Sequence, residues 1–169
     1  MNNEKIRLRA MEPEDLDVLY QIENNQKLWD VGTTNVPYSR FALQNYIVSQ
    51  TNDIFADRQL RLMIENEEGQ TIGIIDIINF EPQHQRAEVG IVIMSEWRMK
   101  GYAELALSKL MDYCRHTLHL HQLYAFVADD NKASLRLFQK TGFVTGAVLN
   151  DWLFDGHKYH NAQLMQLFL

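Results

Sequence analysis

The stretch Glu-Trp-Arg-Met-Lys-Gly-Tyr-Ala, residues 96–103, is the most informative part of this chain. An apolar, strand-like run over residues 87–94 precedes it, and a helical pattern to His116 follows it. A strand, a basic loop with one glycine and a helix start predict an anion site. The first N–H groups of a helix lack intrahelical partners, and the helix dipole favours negative charge there. Arg98 and Lys100 add positive charge, so the stretch indicates a ligand that carries a diphosphate.

The bulk properties exclude several classes of protein. The chain has 169 residues, a formal net charge of -6 and a single cysteine, Cys114. This length predicts one domain over residues 1–169, and the acidic charge disfavours a nucleic-acid partner. A lone cysteine fits a reducing compartment, and the polar N-terminus is not a secretory signal, so we expect a cytoplasmic protein. The longest apolar runs are too short to span a bilayer, and we expect no membrane partner.

Hydrophobic periodicity and turn residues predict an α/β chain with a mixed sheet of about seven strands and four helices, in the order βααβββαβαββ. The predicted strands cover residues 6–9, 60–64, 71–80, 87–94, 123–128, 143–154 and 158–168. The predicted helices cover residues 12–23, 38–49, 102–116 and 132–140. Asn131 is placed to cap the last helix, and Gly142 is placed to end it.

Three short motifs follow one another in the second half of the chain. They are Arg98-Met99-Lys100-Gly101-Tyr102-Ala103, Asp130-Asn131-Lys132-Ala133-Ser134 and Lys140-Thr141-Gly142-Phe143. With the element order, they make nearly the whole chain resemble the GNAT family of N-acetyltransferases. In that family they match the Q/R-x-x-G-x-G/A acetyl-CoA loop, the N-x-x-S helix start and the K-x-G-F that follows it. The opening residues 8–16 resemble the branch of spermidine and ribosomal-protein N-acetyltransferases, and the C-terminal part looks closest to the spermidine type.

The resemblance implies where acetyl-CoA binds. Strand 87–94 would splay from strand 123–128, and the pantetheine arm would pair with the backbone of residues 91–93 like an added strand. An N–H near Val92 would then stabilise the oxyanion. The implied coenzyme-binding residues are Ile91, Val92, Ile93, Arg98, Met99, Lys100, Gly101, Tyr102, Ala103, Asn131 and Ser134. The alternatives are a plain buried strand, a solvated charged turn at the loop, and an Asn131 that only caps a helix.

The candidate catalytic residues are Glu88 and Ser134. An amine must lose a proton before it attacks a thioester, and Glu88 is the candidate base. Strand alternation places it on one face with Gly90, which leaves room beside the carboxylate. The competing interpretation is an ion pair of Glu88, for instance with Arg86.

One position departs from the family pattern. Many members carry a tyrosine in the helix after N-x-x-S that protonates the departing thiolate, and Phe138 stands there in this chain. Phenylalanine cannot donate a proton. Three explanations stay open: another donor such as Ser134 or water, a reaction that proceeds without an acid, or a weak or non-catalytic acetyl-CoA binder.

The acceptor is the least defined part of the prediction. Glu88, Asp30 and Trp152 are the candidate substrate residues, and Asp30 is the sole acid between Gln26 and Tyr38. We expect a primary amine, with a polyamine such as spermidine or spermine first and a protein N-terminus second. A non-catalytic acyl-CoA sensor is the alternative from another class. The resemblance also suggests a homo-oligomer.

A metal centre is not expected. The histidines at 116, 119 and 121 have metal-like spacing, but they straddle a helix end, where a histidine is favoured electrostatically without any ion. His157 and His160 lie in the predicted final hairpin and are likewise not expected to bind a metal.

Overall fold

A seven-stranded mixed sheet forms the centre of the computed structural model, which describes residues 5–29 and 36–169. The strands are β1 (Ile6–Ala10), β2 (Leu60–Asn66), β3 (Thr71–Glu81), β4 (Arg86–Ile93), β5 (Gln122–Ala128), β6 (Val144–Phe154) and β7 (Tyr159–Phe168). They lie side by side in the order β1-β2-β3-β4-β5-β7-β6. Neighbours are antiparallel except β4 and β5, which run parallel through the crossover between them.

The described residues contain five α-helices: α1 (Leu16–Glu23), α2 (Arg40–Val48), α3 (Ile54–Asp57), α4 (Tyr102–His116) and α5 (Lys132–Lys140). Several of them begin at a side-chain cap. Ser39 accepts a hydrogen bond from the Ala42 amide at the start of α2, and Asn131 accepts one from Ser134 at the start of α5. Such caps satisfy amides that the helix itself leaves unpaired.

The helices cover opposite faces of the sheet. The main core joins Leu107 and Leu110 of α4, Leu135 of α5 and sheet residues such as Ile75. On the other face, Ile22 of α1 packs against sheet side chains, among them Met63 and Ile74. The burial of these aliphatic groups provides most of the driving force for folding. Because both faces are covered, the side chains on the two faces of β4 pack against different helices.

The predicted order of strands and helices is confirmed. Helices 102–116 and 132–140 have the predicted bounds, and every predicted strand lies within two residues of an observed one. The predicted total of four helices is too low, since α3 is a fifth, single-turn helix between α2 and β2. The predicted first helix begins as a 3₁₀ turn at Pro13–Asp15, because Pro13 opens a tight first turn there.

No helix among the described residues has the length and apolarity that a membrane crossing requires.

Candidate functional site

Strands β4 and β5 part after three residue pairs. Their parallel register covers Arg86–Gln122, Ala87–Leu123 and Glu88–Tyr124, and it stops there although both strands continue. From Val89 onward the β5 side of β4 is therefore an open edge. Such an edge offers backbone N–H and C=O groups to an extended ligand. The predicted splay of the two strands is present.

A cavity of about 430 Å³ lies over the gap. Its floor is formed by β3, β4 and β5, and its walls by α1, α2 and α5. Residues that line it include Glu23, Arg61, Asp76, Glu88, Gly90, Val92, Phe126, Asn131, Ser134, Phe138 and Leu153. A volume of this size is typical of small-molecule sites.

The pairing of β3 with β4 decides which backbone groups face the gap. Ile72 and Met94 form a hydrogen-bonded pair, because the Met94 amide donates to the Ile72 carbonyl over 2.9 Å. Hydrogen-bonded pairs alternate in an antiparallel ladder, so Val92, opposite Ile74, also directs its backbone toward β3. Ile91 and Ile93 then direct theirs toward the gap.

This register decides which amide near Val92 faces the gap, where an N–H is expected to stabilise the oxyanion. The amide of Ile91 points into the gap, whereas the amide of Val92 is committed to β3. The side chain of Val92 lines the cavity instead, where it packs with Ile22 of α1 and Ile74 of β3.

Glu88 sits where the two strands part, and it lines the cavity. Its carboxylate accepts a hydrogen bond of 2.7 Å from the side-chain Nδ2 of Asn79. Burial raises the pKa of Glu88, and the Asn79 bond lowers it by a smaller amount, so the pKa lies above its ordinary value. The alternative ion pair with Arg86 is absent among the described contacts, because Arg86 pairs with Glu81 over 3.0 Å. A half-buried carboxylate with a raised pKa is suited to accept a proton.

The loop between β4 and α4 presents a backbone surface. Met99 is 99% exposed and has φ 60°, and Gly101 has φ 83° as the residue that precedes α4. No described side chain caps this helix end. The amides of the first turn, at residues 102–104, are thus available to an anion.

Side chains of the loop are anchored beside that surface. Arg98 donates from Nε to the Ile93 carbonyl over 2.9 Å, which ties the loop to the end of β4. The Lys100 ammonium lies 4.6 Å from the centre of the Trp97 ring. Tyr102 packs edge-on against the same ring, and it contacts the core together with Ala103. Both cations stay next to the helix start, where a diphosphate is expected.

Helix α5 closes the cavity on the β5 side. Asn131, Ser134 and Phe138 all line it. Asn131 is a helix cap in this structure, since its Oδ1 accepts from the Ser134 amide over 3.2 Å. Phe138 is buried and packs edge-on against Phe143 at 4.9 Å between ring centres. At the position where a tyrosine was expected, the apolar ring of Phe138 therefore faces the cavity.

The residues predicted to bind the acceptor do not all line the cavity. Asp30 lies outside the described residues. Trp152 is 57% exposed and stacks on Phe126 at 6.0 Å, while its neighbour Leu153 lines the cavity. Trp29 lines the cavity as well, where its indole N–H donates to the Glu23 carbonyl over 3.0 Å.

The cavity also contains a buried charge cluster that the sequence did not predict. Arg61 on β2 forms two hydrogen bonds of 2.8 Å with Asp76 on β3, and a third with Glu23 at the end of α1. All three side chains are less than one-fifth exposed. The isoleucine run around Asp76, residues 74–78, held a signal, because a carboxylate among buried aliphatic residues requires a partner.

Only one group of side chains in the described ranges has metal-like spacing. The ligand atoms of Asp129, Asp130 and His160 lie within 4.8 Å of one another. His160 is already paired on both ring nitrogens, with Asp130 at 3.0 Å and with Asp155 at 2.6 Å. Its pKa is raised chiefly by the hydrogen bond to Asp155.

A known protein family matches most of the chain. The model of the acetyltransferase (GNAT) domain matches residues 5–144. The chain belongs to the GNAT acetyltransferase family. It is accordingly an acetyl-CoA-dependent N-acetyltransferase, since GNAT enzymes use acetyl-CoA as their co-substrate.

Two curated relatives of this GNAT protein represent the two branches that the sequence suggested. It is 29% identical to spermidine N(1)-acetyltransferase of Escherichia coli over 168 residues, which covers 96% of this chain and 86% of the relative. It is 27% identical to a putative ribosomal N-acetyltransferase of Bacillus subtilis, with 94% and 88% covered.

Solved structures agree with the fold. Spermidine N-acetyltransferase of Vibrio cholerae in complex with CoA and spermine superposes with a TM-score of 0.84 at 27% identity, covering 97% of this chain and 95% of that one. A dodecameric structure of the Vibrio cholerae enzyme in an intermediate state gives a TM-score of 0.81, also at 27% identity, with 97% and 94% covered.

Proposed function

We propose that this enzyme transfers the acetyl group of acetyl-CoA to a primary amine, with a polyamine such as spermidine as the first candidate. The observation that carries the proposal is the cavity over the β4–β5 gap, which joins an open strand edge to a carboxylate with a raised pKa. The two parts suit the two halves of the reaction. The edge suits an extended thioester, and Glu88 suits a protonated amine.

The coenzyme would lie along β4 from the loop toward Glu88. The amides at the start of α4, with Arg98 and Lys100, are suited to hold the diphosphate. The backbone of Ile91 and Ile93 is suited to pair with the pantetheine arm, and the Ile91 amide to stabilise the oxyanion. Ile93 lies five positions after Glu88, about 17 Å along an extended strand. That length is enough to carry an arm from the loop to the carboxylate.

The acceptor amine would bind on the face of β4 that carries Glu88 and Gly90. The ammonium group gives a proton to the Glu88 carboxylate, directly or through a water. The neutral nitrogen then forms a bond with the thioester carbon as the carbon–sulfur bond breaks. Gly90 has open space at this place, since the nearest atom to an added Cβ is the Asp76 Cβ at 3.9 Å.

The leaving thiolate would face Phe138, which cannot protonate it. A thiol of pKa about 8.5 leaves without much help near neutral pH. The Ser134 hydroxyl lines the same cavity one helical turn before Phe138 and is an alternative donor on that helix. We therefore propose slow but real turnover, in which Ser134 or water supplies the proton.

Mass spectrometry of the products tests the proposal. Purified protein is incubated with acetyl-CoA and an amine panel of spermidine, spermine, propylamine and N-terminal peptides. We expect polyamines to gain the mass of one acetyl group with release of an equal amount of free CoA. Acetylation of peptides alone would replace the polyamine with a protein N-terminus, the second candidate, which the Bacillus subtilis relative favours. Absence of any acetylated product would overturn the function.

We also propose that the enzyme works as a homo-oligomer. Strand β6 forms one edge of the sheet. It carries large apolar side chains that are exposed: Val144 is 60% exposed, Val148 55% and Phe154 58%. Exposed apolar edges of this kind mark interaction surfaces. The dodecameric assembly of the Vibrio cholerae structure supports the same conclusion.

A further inference from the structure

A basic side chain, Arg61, partly neutralises the carboxylates that line the cavity over the β4–β5 gap. Glu23, Asp76 and Glu88 line the cavity, and Arg61 is the one basic side chain among its described lining residues. The guanidinium of Arg61 binds Asp76 through two hydrogen bonds of 2.8 Å and reaches Glu23 through its remaining terminal nitrogen. Two of the three carboxylates thus already share a cation.

The sheet register places this cluster next to the reacting position. Arg61 pairs with Asp76 across β2 and β3, and Asp76 pairs with Gly90 across β3 and β4. The three residues form one row on the cavity face, and Glu88 stands one row away on the same face. Diagonal neighbours in a sheet lie about 7–8 Å apart. An amine held at Glu88 would therefore have its next group close to Asp76.

The charge of Arg61 is fixed. Burial lowers its pKa, but the Asp76 and Glu23 carboxylates outweigh burial, so the pKa lies above its ordinary value. Tyr46 covers the guanidinium, with 5.7 Å between the guanidinium carbon and the ring centre. A fork-shaped cation held by three hydrogen bonds and a ring is rigid. It cannot move aside for a second ammonium group.

We propose that Arg61 is a specificity-determining residue that occupies, between Glu23 and Asp76, the place of a second substrate cation. The enzyme then recognises one ammonium group of its acceptor inside the cavity, and a polyamine gains little over a monoamine. This inference deepens the proposed function and rests on it. The guanidinium acts as a built-in counter-ion that keeps the two carboxylates from a polyamine.

The test compares kcat/KM for spermidine with kcat/KM for propylamine, a monoamine with the same reacting end. The wild type should give a ratio near one. Arg61→Gln leaves both carboxylates without a cation, and the ratio should rise about tenfold. Arg61→Lys keeps the charge and should leave the ratio near the wild-type value. Arg7→Gln is the matched control, because Arg7 is exposed on the edge strand β1, where it pairs with Glu65 of β2.

A second variant keeps the inference falsifiable if Arg61→Gln does not fold. Glu23→Gln leaves the charge of Arg61 balanced by one carboxylate instead of two, so the guanidinium repels a second ammonium group more strongly and the ratio should fall below the wild-type value. An unchanged ratio in Arg61→Gln, or in Glu23→Gln where the first variant is unfolded, would overturn the role of Arg61. Loss of transfer to every amine in the wild type would instead overturn the proposed function on which this role depends.

Discussion

Gly101 is the residue on which coenzyme binding depends most in this account. Its φ of 83° is a backbone conformation that β-branched residues rarely adopt, and open space surrounds its Cα. Gly101→Val would therefore rebuild the loop without any side-chain clash. We expect acetyl-CoA affinity to fall at least tenfold by calorimetry, because the amides of the first turn lose their alignment.

Gly69 provides the matched control. It has φ 77°, equally open space, and a place in the turn between β2 and β3, away from the loop. Gly69→Val should cost similar stability but leave acetyl-CoA affinity near the wild-type value. Equal affinity in the two variants would remove residues 98–103 from the coenzyme site.

Glu88 should set the acidic limb of the pH profile. A base must be ionised, so activity should fall as the pH drops through the raised pKa of this carboxylate. Glu88→Gln should lower kcat by about 10²–10⁴-fold and abolish that limb. The measurement is kcat/KM across pH for both proteins.

Asn79 gives a finer test of the same residue. Its hydrogen bond favours the charged carboxylate, so Asn79→Leu should raise the pKa of Glu88 further and move the acidic limb to higher pH. A limb that stays in place in Asn79→Leu and in Glu88→Gln would exclude Glu88 as the base.

Phe138 is expected to limit the rate of this enzyme. A tyrosine at this buried, cavity-lining position would bring a hydroxyl to the place where the thiolate leaves. We expect Phe138→Tyr to raise kcat by about tenfold or more, and Ser134→Ala to lower it in the wild-type background but not in Phe138→Tyr. Steady-state release of free thiol measures both. No gain in Phe138→Tyr would mean that proton supply to sulfur is not limiting.

At the scale of elements, the contact between β3 and β4 holds the backbone of the site in place. A Cβ added at Gly73 would lie 2.2 Å from the Val92 carbonyl oxygen, which is backbone and cannot turn away. Gly73→Ala should destabilise the protein by about 1–3 kcal/mol in chemical denaturation and impair transfer, since β4 must shift. Gly90→Ala, on the facing strand, should change stability by less than about 0.5 kcal/mol. Equal losses in both variants would refute this view of the contact.

Elements were predictable where local signals agreed. Helix α5 begins at an asparagine cap and ends before a glycine, and α4 follows a positive-φ glycine, so both have the predicted bounds. Helix α3 was missed because one turn of four residues carries too little periodicity to register. It ends at Arg58 with φ 57°, a conformation that is rare for arginine.

The parts of the candidate site that the sequence does not predict depend on pairing between strands that are far apart in the chain. Motifs and alternation identified Glu88, Ser134 and Asn131, which all line the cavity. The Arg61–Asp76 pair requires the β2–β3 register, and the Ile91 amide requires the β3–β4 register. Neither register can be read from one strand alone, because each is set by packing across the whole sheet.

At the scale of the whole molecule, the exposed apolar side chains of β6 predict assembly. We expect light scattering to give a mass several times that of one chain. Val148→Asp should reduce it, because a buried charge without a partner opposes association. Val48→Asp is the matched control, since Val48 is 72% exposed on α2, away from β6. A monomeric wild type would overturn the proposed oligomer.

The most direct measurement is a crystal structure of the protein with acetyl-CoA. We expect a pantetheine arm in the gap between β4 and β5, paired with the backbone of Ile91 and Ile93, and a diphosphate at residues 98–103. The acetyl group should lie beside Gly90 and Glu88. A coenzyme bound elsewhere, or a gap closed by continued β4–β5 pairing, would contradict the site on which every other prediction depends.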